Sequence, residues 1–349
     1  MQPDEKSGLK FEKELIGSQF MHPDGRQVES IIEVRVNPVT GRTSRIAFNR
    51  SKEKESGTER LPAPPPDAEK TDTCPFCRPQ VFEQTPRLAG DQFATERLEH
   101  NESLLFPNLF PYGRYSGVSL FDNSHFMEIG TASLASYTDS FINCQNYLTS
   151  LFRSDPRALY MAITQNHLPS AGGSLVHPHL QVHADRIATN HHRFLRRRCA
   201  EYHTRGGSRL FSDYLACEKK QQQRYIGRTG DWHWMAAFAP EGFFEIWGIL
   251  PGRFSMLELD REQWQTLARG VLNAQRFYRS LHRNGYNLGM LCQEDGRNVM
   301  ELRVVILARS NYAAWVRNDH TGYEVMLGDM TTFSAPEQTA SAARPFWNA

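Results

Sequence analysis

The chain has 349 residues, enough for one large domain or two ordinary ones with substantial cores. Its 40% hydrophobic and 23% charged residues are those of a globular protein, and a formal net charge of +1 gives no electrostatic reason to expect nucleic acid as a partner. No apolar run approaches the roughly 20 residues that span a bilayer, and the opening "MQPDEKSGLKFEKELIG" lacks the apolar core of a signal peptide; a cytoplasmic address is expected, with the six cysteines as free thiols or metal ligands rather than disulfides.

Residues 1–30 are polar and mixed in charge. "ESIIEVRVNPVTGRTSRIAFNR" then alternates apolar positions on both sides of the turn signal "NPVTG", which predicts a hairpin. "SKEKESGTERLPAPPPDAEKTD" combines charge with a proline cluster and is expected to be an exposed linker, closing an N-terminal segment over 1–72.

The rest divides into two halves, 73–190 and 191–349, that repeat one plan. "ESLLFPNLFPYGRYSGVSLFDNSHFMEIG" reads as strand, turn, strand, and so does "WHWMAAFAPEGFFEIWGILPGRFSMLELD". Helical periodicity follows each, in "LASYTDSFINCQNYLTSLF" and "REQWQTLARGVLNAQRFYRSLH". Each half closes on two more strands, "ALYMAITQNHLPSAGGSLVHPHLQVHA" and "YNLGMLCQEDGRNVMELRVVILAR". Laid over each other, His177 falls on Glu301, His179 on Arg303 and Gln181 on Val305. Strands flanking one helix in each half predict an α+β fold. The basic cluster "HHRFLRRRCAEYHTR" between the halves reads as a solvated helix, and Cys144, Cys199, Cys217 and Cys292 as buried or incidental thiols.

The chemistry concentrates in "AGGSLVHPHLQVHAD", residues 171–185, where His177, His179, Gln181 and His183 recur at every second position. On a strand these four would share one face. A solvated edge strand with incidental histidines is the plain alternative. "CPFC", Cys74 to Cys77, is half of a zinc site or a redox dithiol; its place after a proline-rich stretch favours metal. Tetrahedral zinc then needs two further ligands, with His177 and His125 as candidates and His100 and His183 as weaker ones. Gly172 and Gly173, with the Ser174 hydroxyl, form a tight turn whose amides can hold phosphate oxygens. An imidazole is a competent nucleophile toward phosphorus, and Gln181 on the same face can donate its amide to a phosphate oxygen.

These residues carry a resemblance. "HPHLQ" preceded by Asn166 and "AGGS" resembles the signature of the histidine-triad (HIT) superfamily, in its galactose-1-phosphate uridylyltransferase branch, and the likeness runs from about Glu33 to Gln338. It implies a duplicated HIT-like fold, an antiparallel sheet with helices packed against it, an N-terminal hairpin and a zinc-binding segment. It implies His179 as nucleophile with Gln181 as its partner, and one structural Zn2+ held by Cys74, Cys77, His125 and His177. Arg50, Asn166, Gly172, Gly173 and Ser174 match phosphate contacts, Asn108 and Phe110 the base and ribose pocket, and Tyr323 and Glu324 the hexose segment. Glu301, Arg303 and Val305 stand where some uridylyltransferases carry histidines for a further metal, so one metal is expected. The implied activity is transfer of a nucleoside monophosphate group from a nucleoside diphosphate sugar to a sugar 1-phosphate or inorganic phosphate, in a homodimer. ADP-glucose and dinucleoside-polyphosphate phosphorylases share the nucleophile motif. A hydrolase of the same fold and a catalytically inactive nucleotide-binding protein are the alternatives.

Overall fold

The computed structural model describes residues 8–48, 60–90, 92–309, 311 and 326–348. Its first part runs β1 (Lys13–Met21), β2 (Gln27–Val36), β3 (Thr43–Ala47), α1 (Gln80–Gln84), β4 (Leu98–His100), β5 (Ser103–Pro107), β6 (Tyr115–Leu120), α2 (Leu134–Ser154), β7 (Tyr160–His167) and β8 (His179–Asp185). α3 (Asn190–Gly206) and α4 (Leu210–Gln221) lead into β9 (Tyr225–Thr229), β10 (Trp232–Ala236), β11 (Phe243–Leu250), α5 (Arg261–Ser280), β12 (Tyr286–Gln293), β13 (Leu302–Ala308), β14 (Met330–Thr332) and α6 (Pro336–Ala343).

Ten strands form one sheet in the order β4-β5-β6-β8-β7-β12-β13-β11-β10-β9. Read outward from the β7–β12 seam, each half repeats the same sequence of three meandering strands, a helix and two strands, the last of them inserted beside the meander. The expected duplication is therefore a single continuous antiparallel sheet. At the seam β7 and β12 pair from Tyr286–His167 to Gln293–Tyr160.

α2 and α5 cover one face. Ser133 caps α2 by accepting the Ser136 amide, and Asp260 with Gln263 makes a capping box at the start of α5. The two helices meet through stacked Phe141 and Trp264, 5.4 Å apart, above the buried Leu180, Val182 and Ala184 of β8. On the other face α3 and α4 cover only the second half, with Leu195, Phe211 and Tyr214 against Trp247 and Ile249. That asymmetry leaves the first half's strand face free for a site.

The predicted hairpin is β2–β3, extended by β1 on one edge and by the parallel β14 on the other. β1 lies within residues expected to be merely polar. This small sheet is fastened to the body by Arg35, whose guanidinium reaches Glu33, Glu337 of α6 and the Phe238 carbonyl, while Arg224 binds Glu337 and Glu218. The proline cluster is less exposed than its composition suggests: Pro65 is buried and Leu61 packs on the core. No helix among the described residues is long and apolar enough to cross a membrane.

Gly270 sits inside α5 where a Cβ would lie 1.9 Å from the Trp234 ring. Glycine to alanine in a helix ordinarily stabilises by about 0.5–1 kcal/mol. Here overpacking reverses the sign, and Gly270→Ala is expected to cost about 1–3 kcal/mol. A thermal melt reads this directly, and a variant melting at or above the parent temperature refutes the close contact.

Candidate functional site

Strand β8 sorts its side chains as alternation requires. Leu180, Val182 and Ala184 enter the core under α2, while His179, Gln181 and His183 face the other way. His177 departs from the expected row of four: the strand begins at His179, because Pro178 has no N–H to donate to a ladder. Freed from the strand, the His177 ring turns into a cluster with Cys74, Cys77 and His125, whose ligand atoms all lie within 4.8 Å of one another.

The facing atoms are two thiol sulfurs and two imidazole Nδ1 atoms. Cys77 Sγ lies 3.2 Å from His125 Nδ1 and 3.6 Å from His177 Nδ1, and Cys74 Sγ lies 3.8 Å from His177 Nδ1. Around a tetrahedral zinc with bonds of about 2.0–2.3 Å, ligand atoms stand roughly 3.5 Å apart, so the donor set fits such an ion. His125 Nε2 donates to the Asp67 carbonyl at 2.7 Å, which orients the ring from behind and directs Nδ1 inward. Burial and the neighbouring Cys74 push the Cys77 thiol up to about 12. His100 pairs instead with Asp139, at 3.7 Å, and His183 Nδ1 meets Ser116 Oγ at 3.2 Å; neither enters the cluster.

His179 is 7% exposed. Its Nδ1 lies 2.7 Å from the His177 carbonyl oxygen. A carbonyl only accepts, so Nδ1 carries the hydrogen and Nε2 keeps its lone pair. Burial holds the imidazole below its ordinary pKa, with the bond to His177 working against it. Phe76, the residue between Pro75 and Cys77, sits edge-on to the His179 and His177 rings with centroids 5.4 and 5.9 Å away. The CPFC segment thus wedges the imidazole in place. The identity of Phe76 inside "CPFC" was visible in the sequence, but not its contact.

The glycine turn does something other than expected. The amides of Ala171 and Gly173 bond to the Leu168 carbonyl, and the Gly172 amide to Pro169, so these groups close the turn instead of facing a ligand. Gly172 has φ +87°, and a Cβ on Gly173 would lie 3.0 Å from the Asn166 carbonyl oxygen, so the close return of the chain requires both glycines. Ser174 is exposed at the tip of the turn.

Asn166 comes level with His179, two residues beyond the Thr164–Gln181 pair. Across the seam it meets Asn287, whose Nδ2 donates to Asn166 Oδ1 at 2.7 Å and to the Ala171 carbonyl at 2.8 Å. Arg309 donates to Asn287 Oδ1 at 2.6 Å. A guanidinium has no acceptor, so this chain fixes both amides: Asn166 presents its NH2 group as the outward donor. Asn287 and Arg309 come from the second half and had no signal in the sequence.

Asn108 closes a turn by accepting the Phe110 amide at 3.0 Å. Leu109, Phe110 and Tyr112 project from this turn as exposed apolar side chains at 60, 74 and 97%. Arg50, Tyr323 and Glu324 lie outside the described residues. Cys144, Cys199, Cys217 and Cys292 are buried and form no disulfide.

No family model matches the chain. A protein of Archaeoglobus fulgidus, itself uncharacterized, is 28% identical over 344 residues, 97% of this chain and 99% of its own length. Among solved structures, an ADP-glucose phosphorylase from Arabidopsis thaliana with bound ADP-glucose is similar with a TM-score of 0.69 at 20% identity, covering 90% of this chain and 98% of that one. A GALT-like protein from the same plant gives 0.67 at 18% identity, covering 89% and 98%. A uridylyltransferase gives 0.65 at 17% identity, covering 90% and 98%. The chain thus shares its α+β fold, a ten-stranded antiparallel sheet built from two repeated halves, with an ADP-glucose phosphorylase and a uridylyltransferase.

Proposed function

We propose that the protein is a nucleotidyltransferase. It moves a nucleoside monophosphate group from a nucleoside diphosphate sugar, or a related nucleotide, to a sugar 1-phosphate or inorganic phosphate through a nucleotidyl-His179 intermediate. The observation that carries the reading is the buried His179, its Nδ1 hydrogen committed to the His177 carbonyl and its Nε2 left as the nucleophilic atom. Its fold is that of a phosphorylase of ADP-glucose and of a uridylyltransferase, two activities that differ in acceptor.

In the first half-reaction Nε2 attacks the α-phosphorus. The N–P bond forms as the P–O bond to the sugar phosphate breaks, and the electron pair leaves with that oxygen. The imidazole ring gains positive charge, which the His177 carbonyl stabilises through Nδ1–H. The NH2 group of Asn166, the amide of Gln181 and the hydroxyl of Ser174 are the donors for the nonbridging oxygens. Arg50 would add charge to the same oxygens. In the second half-reaction a phosphate oxygen of the acceptor attacks phosphorus and expels Nε2, restoring neutral His179.

Cys74, Cys77, His125 and His177 would hold one zinc as a structural ion. It would bind the thiolates that burial otherwise disfavours and fix the His177 carbonyl against the nucleophile. Asn108 and Phe110 would flank the base and ribose, and Tyr323 and Glu324 the sugar. We further assign the chain to the cytoplasm and to a homodimer, with 1–72, 73–190 and 191–349 as its N-terminal segment, catalytic half and degenerate half.

A radiolabelled nucleotide sugar is expected to leave its nucleotidyl group on the protein in an acid-labile, base-stable bond, and His179→Ala to abolish the label. An unlabelled parent protein, or a fully labelled variant, sinks the proposal. Chromatography of the products with phosphate, with sugar 1-phosphates and with neither separates phosphorolysis, transfer and hydrolysis. Gln181→Ala is expected to slow labelling about 100-fold, the usual loss for one donor to a developing oxyanion. Asn287→Leu frees the Asn166 amide to rotate and is expected to slow labelling about tenfold in protein that remains folded by circular dichroism; an unaffected rate would remove Asn287 from the machinery. For the metal, elemental analysis is expected to find one zinc per chain in the parent and in Cys144→Ser, and none in Cys77→Ser, which also melts several degrees lower.

A further inference from the structure

The seam between β7 and β12 relates the halves residue by residue. Thr164 faces Gln181 on one side and Gly289 on the other, and Gly289 in turn faces Val305. Stepping outward from the Thr164–Gly289 pair, Val305 mirrors Gln181, Arg303 mirrors His179 and Glu301 mirrors His177. The two mirrored positions of the second half have separate fates. Glu301, 1% exposed, accepts hydrogen bonds from the Ser212 amide and hydroxyl and from the Gly252 amide, and so anchors the start of α4. Arg303 has no such employment.

Arg303 is nine-tenths buried, at 9% exposure. Its cation lies 4.2 Å from the Trp247 ring centroid and 5.0 Å from that of Phe211. Among the described residues its guanidinium has neither a hydrogen-bond acceptor nor a carboxylate within ion-pair range. The nearby acids are engaged elsewhere: Glu241 accepts from Thr40 and Arg42, both at 3.1 Å, and Glu245 accepts from the Trp247 indole and the Glu241 amide. Burial, then the charge of Glu241, pushes Glu245 up to about 7, so it is only a fractional counter-charge. Arginine stays charged in a protein interior, and a buried, unpaired charge is costly.

Arg303 opens into a cavity of about 480 Å³ beneath α3 and α4. Leu195, Phe211, Met300 and Leu307 are among its apolar lining, the engaged carboxylates Glu241, Glu245 and Glu301 also border it, and Asn166 and Asn287 line its edge toward the first half. The site is separate from the nucleophile: three strand spacings and four residues along the sheet place Arg303 about 20 Å from His179.

We propose that this second-half cavity binds a small organic oxyanion, a carboxylate or a phosphate ester with an apolar or ring-bearing body, whose anionic group pairs with the Arg303 guanidinium while its body lies against Phe211, Leu195 and Met300. The pairing supplies the acceptor that the fold withholds from Arg303, and a fork-shaped guanidinium meets such a group through two parallel hydrogen bonds. The duplicated fold thus holds an anion by fixed charge at the position where the first half carries His179.

Calorimetric titration of the full chain with benzoate, AMP and orthophosphate tests this, since the three vary the body and the anion separately. At least one of benzoate and AMP is expected to bind the parent protein, with Arg303→Met weakening that binding at least tenfold and Arg303→Lys, which keeps the charge without the fork, weakening it less. Nucleotidyl labelling of His179 is expected to stay within about twofold in both variants, since Arg303 lies far from the reacting atoms. If the parent binds neither benzoate nor AMP, or if Arg303→Met and Arg303→Lys bind them as tightly as the parent, the proposal fails. An absence of labelling in the parent together with Arg303-dependent binding would overturn the transferase reading and leave this site standing.

Discussion

The antiparallel pairing of β7 with β12 is the constraint on which the rest of the structure depends. Each strand would otherwise be the exposed edge of a half-sized sheet. Joined, they make ten continuous strands and give α2 and α5 one common surface to cover. The seam also carries the polar contact that matters most for the site. Asn287 reaches across it to hold Asn166, so the second half fixes a side chain that lies level with His179 in the first.

The two halves have diverged by what covers them. In the second half α3 and α4 close over the strand face, Glu301 becomes a helix anchor, and Trp247 and Phe211 surround Arg303. In the first half the corresponding face is met by the CPFC segment, which brings thiols and Phe76 instead of a helix. One backbone plan thus presents a buried imidazole, His179, on one side and a buried cation, Arg303, on the other, at mirrored positions.

Much of this was legible from periodicity. α2 and α5 carry strong helical patterns with serine and aspartate caps, and β10, β11, β12 and β13 are short apolar runs between turn signals. β1 was not legible, because eight of its nine residues are exposed and no face alternates. The histidine row departs in geometry: alternation predicted four groups on one strand, and Pro178 releases His177 from it. The role of the glycine turn was also misjudged, because sequence identifies a tight turn but not which way its amides point. Asn287 and Arg309 were invisible for a different reason. The contact of Asn287 with Asn166 spans 121 residues and exists only after the two halves have joined, and Arg309 acts on Asn166 only through Asn287.

The hydrogen bond from His125 to the Asp67 carbonyl links the metal cluster to the chain's passage from the small N-terminal sheet to the large one. Residues 66–73 form two single turns of 3-10 helix with no buried side chain, and besides this bond and the adjoining cysteines the Gln80 side chain holds them by donating to the Asp72 carbonyl. The cluster therefore does more than sit beside His179: through His125 and His177 it ties residues 66–77 to the large sheet, so the same four side chains position an imidazole and fasten the stretch of chain that leads into that sheet.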